Sequence, residues 1–389
     1  MKVAHVTTVD ISLRYLLLNQ LKALREGYEV IAISSPGPHV EAVTQAGIRH
    51  IPVPMTRRIT PGPDIQSLWR LYKIMRRERF AIVHTHTPKA GLLGQIAAKM
   101  AGVQVVINTL HGFYFHDHMN GWARRFHIAV EKIAACCSDR ILSQNDEDIG
   151  TAIREGICAP EKLASLGNGI DLLEFDPVRV SASEGTVIRE RLGIPDSAPV
   201  VGFVGRLAAR RKGFLDFLAA GRLLTLRYPE VHFLIVGEAD HGKADAVEPS
   251  AAADYGIAER CHFVGALPNA ELPPCYRAMN VLVLPSLFEG LPRVVMEASA
   301  MGVPSVVSDV KGNREAVAQG RNGFLVPLGD VDALAEATGR VIADPVLGAQ
   351  MAMEARCIAL ERFDERRVFE FVKGEYNRLL KGGKTMTSS

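Results

Sequence analysis

Two glutamates lie eight residues apart in Ser286-Leu287-Phe288-Glu289-Gly290-Leu291-Pro292-Arg293-Val294-Val295-Met296-Glu297-Ala298, directly after an apolar run ending at Leu284. An ionised carboxylate only accepts hydrogen bonds and can hold two hydroxyls of a sugar at once. Pro292 suits the first position of a helix, whose free N–H groups attract an anion such as a diphosphate. Glu289 then sits in the loop, and Glu297 about five residues into the helix, roughly 7.5 Å along its axis. Two carboxylates flanking an anion-binding helix start suit a nucleotide sugar, one for the transferred sugar and one for the ribose. A charge in a first helical turn would explain Glu297 alone, but not Glu289 in the preceding loop.

Histidines supply a second set of candidates. Asn108-Thr109-Leu110-His111-Gly112 closes one strand pattern, and His84-Thr85-His86-Thr87-Pro88-Lys89-Ala90-Gly91 follows another. The His84/His86 pair invites a metal reading. The two side chains are expected on opposite faces of their strand and no third ligand is evident, so acceptor-side or packing roles are preferred. Six cysteines with no C-x-x-C spacing suit reduced thiols better than disulfides or zinc, and no structural metal is expected.

The frame that must position these residues is an alternation of short β-branched strands with helical stretches. Strands are expected at 2–7, 29–33, 81–84, 105–109 and 140–143, with a helix over 13–26. After a weakly patterned linker at 175–185 the rhythm restarts at 200–204, 232–236, 262–264, 281–284, 305–308 and 323–326. This alternation implies parallel sheets covered on both faces. Ligands of such sheets bind beyond the carboxyl ends of the strands. Three segments follow: a first domain over 1–175, a second over 190–367, and a terminal amphipathic helix with its tail over 368–389, which either caps the second domain or crosses back to the first.

Glu289 and Glu297, with Gly290 and Pro292 between them, resemble the E-x7-E motif of the large retaining glycosyltransferase family 4. Ala300-Met301-Gly302-Val303-Pro304, Ser308-Asp309, Gly312, Glu315 and Asn322-Gly323-Phe324-Leu325-Val326 are similar to that family's next blocks. Ser143-Gln144-Asn145 and Gly167-Asn168-Gly169-Ile170-Asp171 resemble its landmarks at the end of the first domain. The resemblance implies the GT-B fold, an α/β architecture of two Rossmann-like doubly wound parallel-sheet domains facing an interdomain cleft. The second domain would hold the donor and the first would present the acceptor.

The resemblance also implies roles. Arg206, in Val201-Gly202-Phe203-Val204-Gly205-Arg206-Leu207, and Lys212, in Arg210-Arg211-Lys212-Gly213-Phe214, match an Arg and a Lys that grip the donor's diphosphate, with Arg211 an alternative to Lys212. A cation about 4 Å from a leaving phosphate oxygen gains about 4 kcal/mol at an effective dielectric near 20. Glu289, Gly290, Leu291, Pro292, Arg293 and Glu297 would complete the donor site, and His111 would approach the donor sugar and its phosphates. Thr8, His86 and Lys89 stand on the acceptor side. The loop Thr7-Thr8-Val9-Asp10-Ile11-Ser12 lacks the glycine-rich turn of many members, so direct phosphate contact from it is not expected.

The implied reaction moves a hexosyl or N-acetylhexosaminyl group, with retention, from a nucleotide sugar, a UDP sugar at the family level, to a hydroxyl of a polyprenyl-diphosphate-linked saccharide. That chemistry belongs to bacterial surface-polysaccharide or lipopolysaccharide assembly and needs no cofactor or metal. The same fold hosts sugar-nucleotide 2-epimerases, and a non-catalytic nucleotide-sugar sensor is a third reading. The glutamate pair favours transfer over epimerisation, and intact Arg206, Lys212, Glu289 and Glu297 argue against a sensor.

Composition bounds the partners. The 389 residues carry 45 basic and 43 acidic side chains, a net charge of +2 that excludes a protein built mainly to neutralise nucleic acid. A local excess remains: Arg57, Arg58, Arg70, Lys73, Arg76, Arg77 and Arg79 face only Asp64 and Glu78 nearby, which reads as a solvated helix face or as contact with an anionic membrane. Phe113-Tyr114-Phe115 and Trp122, beside Arg124 and Arg125, read as core or lid, or as a contact for lipid head groups. The chain lacks an apolar run of about 18 residues and begins as a strand without a signal-peptide pattern. A cytoplasmic location is expected, peripheral on the inner face of the plasma membrane.

Overall fold

The structure is a computed structural model that describes residues 1–115 and 119–385. The chain divides into two units, Met1–Gly167 with Arg366–Ser389, and Asn168–Glu365. In the first unit the strands are β1 (Lys2–Val6), β2 (Glu29–Ser34), β3 (Arg49–Pro52), β4 (Ile82–Thr85), β5 (Val105–Leu110), β6 (Arg140–Ser143) and β7 (Leu163–Ser165). They form one parallel sheet in the order β3-β2-β1-β4-β5-β6-β7. The second unit holds β8 (Val200–Val204), β9 (His232–Val236), β10 (Cys261–Phe263), β11 (Val281–Leu284), β12 (Ser305–Ser308) and β13 (Gly323–Val326), in the order β10-β9-β8-β11-β12-β13. In each sheet the order reverses between the first and fourth strands, where a crevice opens at the carboxyl ends.

Both sheets are buried on both faces, as parallel sheets require. Along β1, Val3 joins the core on one face, while Ala4 and Val6 join the core on the other. Along β8, Val200 and Val204 face one core and Val201 and Phe203 the opposite one. The last helix, Glu365–Thr385, sends Val372, Tyr376 and Leu380, spaced four apart, into the first unit's core beside Val3, Leu13 and Leu17.

Three local expectations change. The supposed linker is structured: Phe175 is wholly buried in the second unit's core, and a capping box of Ser181 and Glu184 starts a helix over Ala182–Arg191. The strands Arg49–Pro52 and Leu163–Ser165 add to the first sheet. The expected helix over 13–26 is broken into Asp10–Ser12, a π turn at Leu13–Leu17, and Leu18–Leu24.

Candidate functional site

In the second unit, the candidate residues gather where β8 and β11 end side by side. The loop after β8 runs from Gly205 to Gly213 and is held against the loop after β11. Gly213 has φ of 66°, and a Cβ there would lie 1.9 Å from the Pro285 carbonyl oxygen. The Leu287 amide donates to the Arg211 carbonyl at 3.2 Å. The guanidinium of Arg211 lies over the Phe288 ring, 4.2 Å from its centre, and the Lys212 ammonium reaches Glu289 Oε1 at 2.6 Å. Of the two neighbouring cations, Lys212 therefore meets the motif glutamate and Arg211 stacks. The Lys212 stem passes Gly205, whose added Cβ would come 4.0 Å from its Cε, while Arg206 pairs with Asp240 at 2.9 Å.

The loop after β12 closes the other side. Gly312, at φ of 76°, brings its backbone so near that a Cβ would stand 2.1 Å from the Gly290 carbonyl oxygen. Leu291 is buried in the core, and its carbonyl accepts from Asn168 Nδ2 at 3.3 Å. The helix that follows spans Arg293–Ala300 with Pro292 as its N-cap, one residue later than expected. Arg293 Nη1 donates to the Gly169 carbonyl at 3.3 Å, and Arg293 Nε lies 3.6 Å from Glu297 Oε1. Glu297 is only 3% exposed and its Oε2 accepts from the Tyr276 hydroxyl at 2.8 Å. Burial pushes the Glu297 carboxyl up, while Arg293 and the Tyr276 hydroxyl act in the opposite sense. Tyr276 was not among the sequence candidates; nothing in its neighbourhood marks it, since the contact joins two helices 21 residues apart.

In the first unit, the loops after β1 and β4 meet. The Thr8 amide donates to Thr87 Oγ1 at 2.9 Å, the two hydroxyls lie 2.8 Å apart, and the Ala90 amide donates to Thr8 Oγ1 at 3.3 Å. Thr8 is thus an anchor for the start of the Pro88–Ala101 helix. Lys89 pairs with Asp64 at 2.6 Å, and its ammonium also donates to the Arg58 carbonyl, which ties it to the segment before the Pro61–Glu78 helix.

His84 and His86 do not point to opposite faces. Residues two apart along a strand share a face, and the rings stack with centres 4.2 Å apart. A third ring joins them, because β1 pairs with β4 in a register that sets His5 opposite His84. His5, His84 and His86 each offer a nitrogen within 4.8 Å of the others, so the third ligand missing from the sequence reading is His5. Their ring nitrogens are already engaged in hydrogen bonds. His84 Nε2 meets Thr109 Oγ1 at 2.7 Å and His84 Nδ1 the Tyr376 hydroxyl at 2.7 Å. That hydroxyl lies 3.2 Å from His5 Nε2, His5 Nδ1 is 2.9 Å from His86 Nε2, and His86 Nδ1 is 3.4 Å from His111 Nε2. Burial drives His5 down to about 3 and His111 to about 4, and holds His84 and His86 well below the ordinary imidazole range. All four rings are neutral near pH 7.

The aromatic patch divides. Phe113 and Phe115 are buried and stacked 4.7 Å apart, whereas Tyr114 and Trp122 are 53% and 80% exposed. Arg57, Arg58, Arg70, Lys73, Arg76, Arg77 and Arg79 are all exposed, and Ile59, Ile65 and Trp69 are exposed among them. No helix among the described residues is long and apolar enough to cross a membrane.

Comparison with known proteins bears on the family and the fold. Residues 198–344 match the family model described as Glycosyl transferases group 1, and residues 2–145 match Glycosyl transferase 4-like. The chain is 31% identical over 352 residues to the UDP-Gal:alpha-D-GlcNAc-diphosphoundecaprenol alpha-1,3-galactosyltransferase of Escherichia coli, covering 89% of each chain. It is 27% identical over 388 residues to the capsular polysaccharide biosynthesis glycosyltransferase CapM of Staphylococcus aureus, covering 98% of each. Its fold is similar to that of Anabaena Alr3699/HepE in complex with UDP and glucose, with a TM-score of 0.83 and 21% identity over 97% of this chain and 100% of that one. It is also similar to WaaG, a glycosyltransferase involved in lipopolysaccharide biosynthesis, with a TM-score of 0.73 and 16% identity over the whole of both chains.

Proposed function

The chain belongs to the group 1 family of glycosyl transferases, with the GT-B fold, and we propose that it moves a hexosyl or N-acetylhexosaminyl group from a UDP sugar to a hydroxyl of a polyprenyl-diphosphate-linked saccharide, with retention. The observation that carries this reading is the Lys212–Glu289 pair at the joint carboxyl ends of β8 and β11, beside the start of the Arg293–Ala300 helix. A cation for a diphosphate and a carboxylate for sugar hydroxyls stand in contact there. The substrate classes take their support from the Escherichia coli relative, named for UDP-Gal and a diphosphoundecaprenol-linked GlcNAc, and from the capsular relative.

In this scheme Arg206 and Lys212 take the diphosphate, with the backbone of Gly290, Leu291 and Arg293 and the turn at Pro292 shaping its seat. Glu289 holds hydroxyls of the transferred sugar, and Glu297, fixed by Tyr276, serves the ribose. His111 approaches the reacting sugar, as the family resemblance implies, and Thr8, His86 and Lys89 shape the acceptor side. The bond from the anomeric carbon to the phosphate oxygen breaks as the acceptor oxygen bonds on the same face. The acceptor's hydroxyl proton passes to the departing diphosphate. Catalysis is positioning and electrostatics, with no metal or other cofactor in the scheme. The exposed basic segment with Ile59, Ile65 and Trp69 suits contact with the anionic inner face of a membrane, where such an acceptor resides.

The test is transfer from a panel of UDP sugars to a polyprenyl-diphosphate-linked saccharide, with the product's anomeric configuration read by NMR. Glu289→Gln and Arg206→Ala each lower turnover by at least about a hundredfold while the fold survives. Near wild-type transfer by both variants would overturn the site, and an inverted product would overturn the retaining scheme.

A further inference from the structure

The path from Thr109 through His84, Tyr376, His5 and His86 to His111 is continuous. Five residues of it are buried to 3% exposure or less: His5, His84, His86, Thr109 and Tyr376. A neutral imidazole has one proton, so one ring nitrogen donates and the other accepts. The Tyr376 hydroxyl has a single proton, placed between His5 Nε2 and His84 Nδ1.

Two proton patterns satisfy every bond and use the Tyr376 proton within the path. If Tyr376 donates to His5, then His84 Nδ1 donates to Tyr376 and the Thr109 hydroxyl donates to His84 Nε2. Onward, His5 Nδ1 donates to His86 Nε2 and His86 Nδ1 to His111 Nε2, which leaves the His111 proton on Nδ1. If Tyr376 donates to His84 instead, each bond reverses and the proton of His111 sits on Nε2. A mixed pattern sets two donors or two lone pairs face to face, or leaves the buried Tyr376 proton out of the path, and either is costly in a buried site. Which of the two patterns holds therefore decides the neutral tautomer of His111.

We propose that Tyr376 is a positioning residue for sugar transfer: through His5 and His86, its hydroxyl fixes which ring nitrogen of His111 holds the proton. The last helix of the chain thereby sets whether His111 Nδ1, the nitrogen that the path does not use, carries a proton or a lone pair. The link to transfer rests on the proposed role of His111; the proton pattern does not.

The experiment uses the full chain with ring-¹⁵N-labelled histidine, whose NMR signals distinguish the two neutral tautomers, and His111→Gln identifies the His111 signals among the 12 histidines. Wild type is expected to show His111 as a single neutral tautomer. Tyr376→Phe is expected to move the His111 nitrogens to positions between the two tautomers. Thr109→Val, at the far end of the path, does the same, and Thr109→Ser restores the wild-type signals. At saturating donor, Tyr376→Phe transfers about two- to tenfold slower with the donor KM held within about twofold. Should Tyr376→Phe not fold, the Thr109 pair decides. Unchanged His111 signals in the folded variants overturn the proposal. So does a tightly bound metal on His5, His84 and His86, because it would occupy lone pairs the path uses. A tautomer shift with wild-type turnover upholds the proton pattern and overturns instead the part of His111 in transfer.

Discussion

The Lys212–Glu289 contact depends on a residue with no side chain. Gly213 adopts a left-handed φ of 66° and presses so close to the Pro285 carbonyl that a methyl group cannot fit. Gly213→Ala adds backbone strain to a steric clash and costs more than about 1 kcal/mol of stability. Because the same loop holds Lys212, transfer is also expected to fall at least about tenfold. Gly374, exposed inside the Glu365–Thr385 helix with nothing within 4 Å of an added Cβ, is the control: Gly374→Ala leaves transfer unchanged and raises stability by up to about 1 kcal/mol. Urea unfolding and kcat/KM of both variants check the pair, and equal effects at the two positions would remove Gly213 from the account.

At the scale of elements, the β1–β4 pair sets both a geometry and a pH dependence. An imidazole titrates near 6.5 in the unfolded chain, whereas His111 in the folded protein accepts a proton only near 4 and His5 only near 3. Between these values the unfolded state binds more protons, so the stability these rings contribute is complete above about 6.5 and is lost as pH falls toward 4 and below. Urea unfolding at pH 7.5 and pH 5 is expected to show a smaller loss of stability for His111→Gln than for wild type, and an identical loss would contradict the assignment. The ring cluster also marks where the sequence was legible. All six strands of the second unit stand out as apolar β-branched runs, and the E-x7-E segment holds its meaning within 13 residues. Arg49–Pro52 and Leu163–Ser165 escape notice because they are short edge strands, one of them ending in proline. His5 and Tyr376 escape for another reason: their partners lie 79 and 292 residues away from them at His84, a proximity created by strand register and helix docking rather than by spacing. The two-residue period of an extended strand places His84 and His86 on one face.

Across the whole molecule, a net charge of +2 conceals uneven surfaces. Seven exposed cations interleave with Ile59, Ile65 and Trp69 in the first unit, while Arg206 and Lys212 in the second are each matched by a carboxylate. The protein is expected to float with anionic liposomes at low salt, to be released at about 1 M salt, and to ignore zwitterionic liposomes. Arg70→Glu with Lys73→Glu weakens the flotation, and failure of the wild type to float at low salt would discard the membrane contact. The division of the chain into units has a further consequence for synthesis. The second unit is a contiguous stretch, Asn168–Glu365, whereas the first needs Val372, Tyr376 and Leu380 to close the core begun by Val3, Leu13 and Leu17. On the ribosome, the half that is translated first is therefore the half that matures last, and its apolar flank waits through the synthesis of roughly two hundred residues before the covering helix is made.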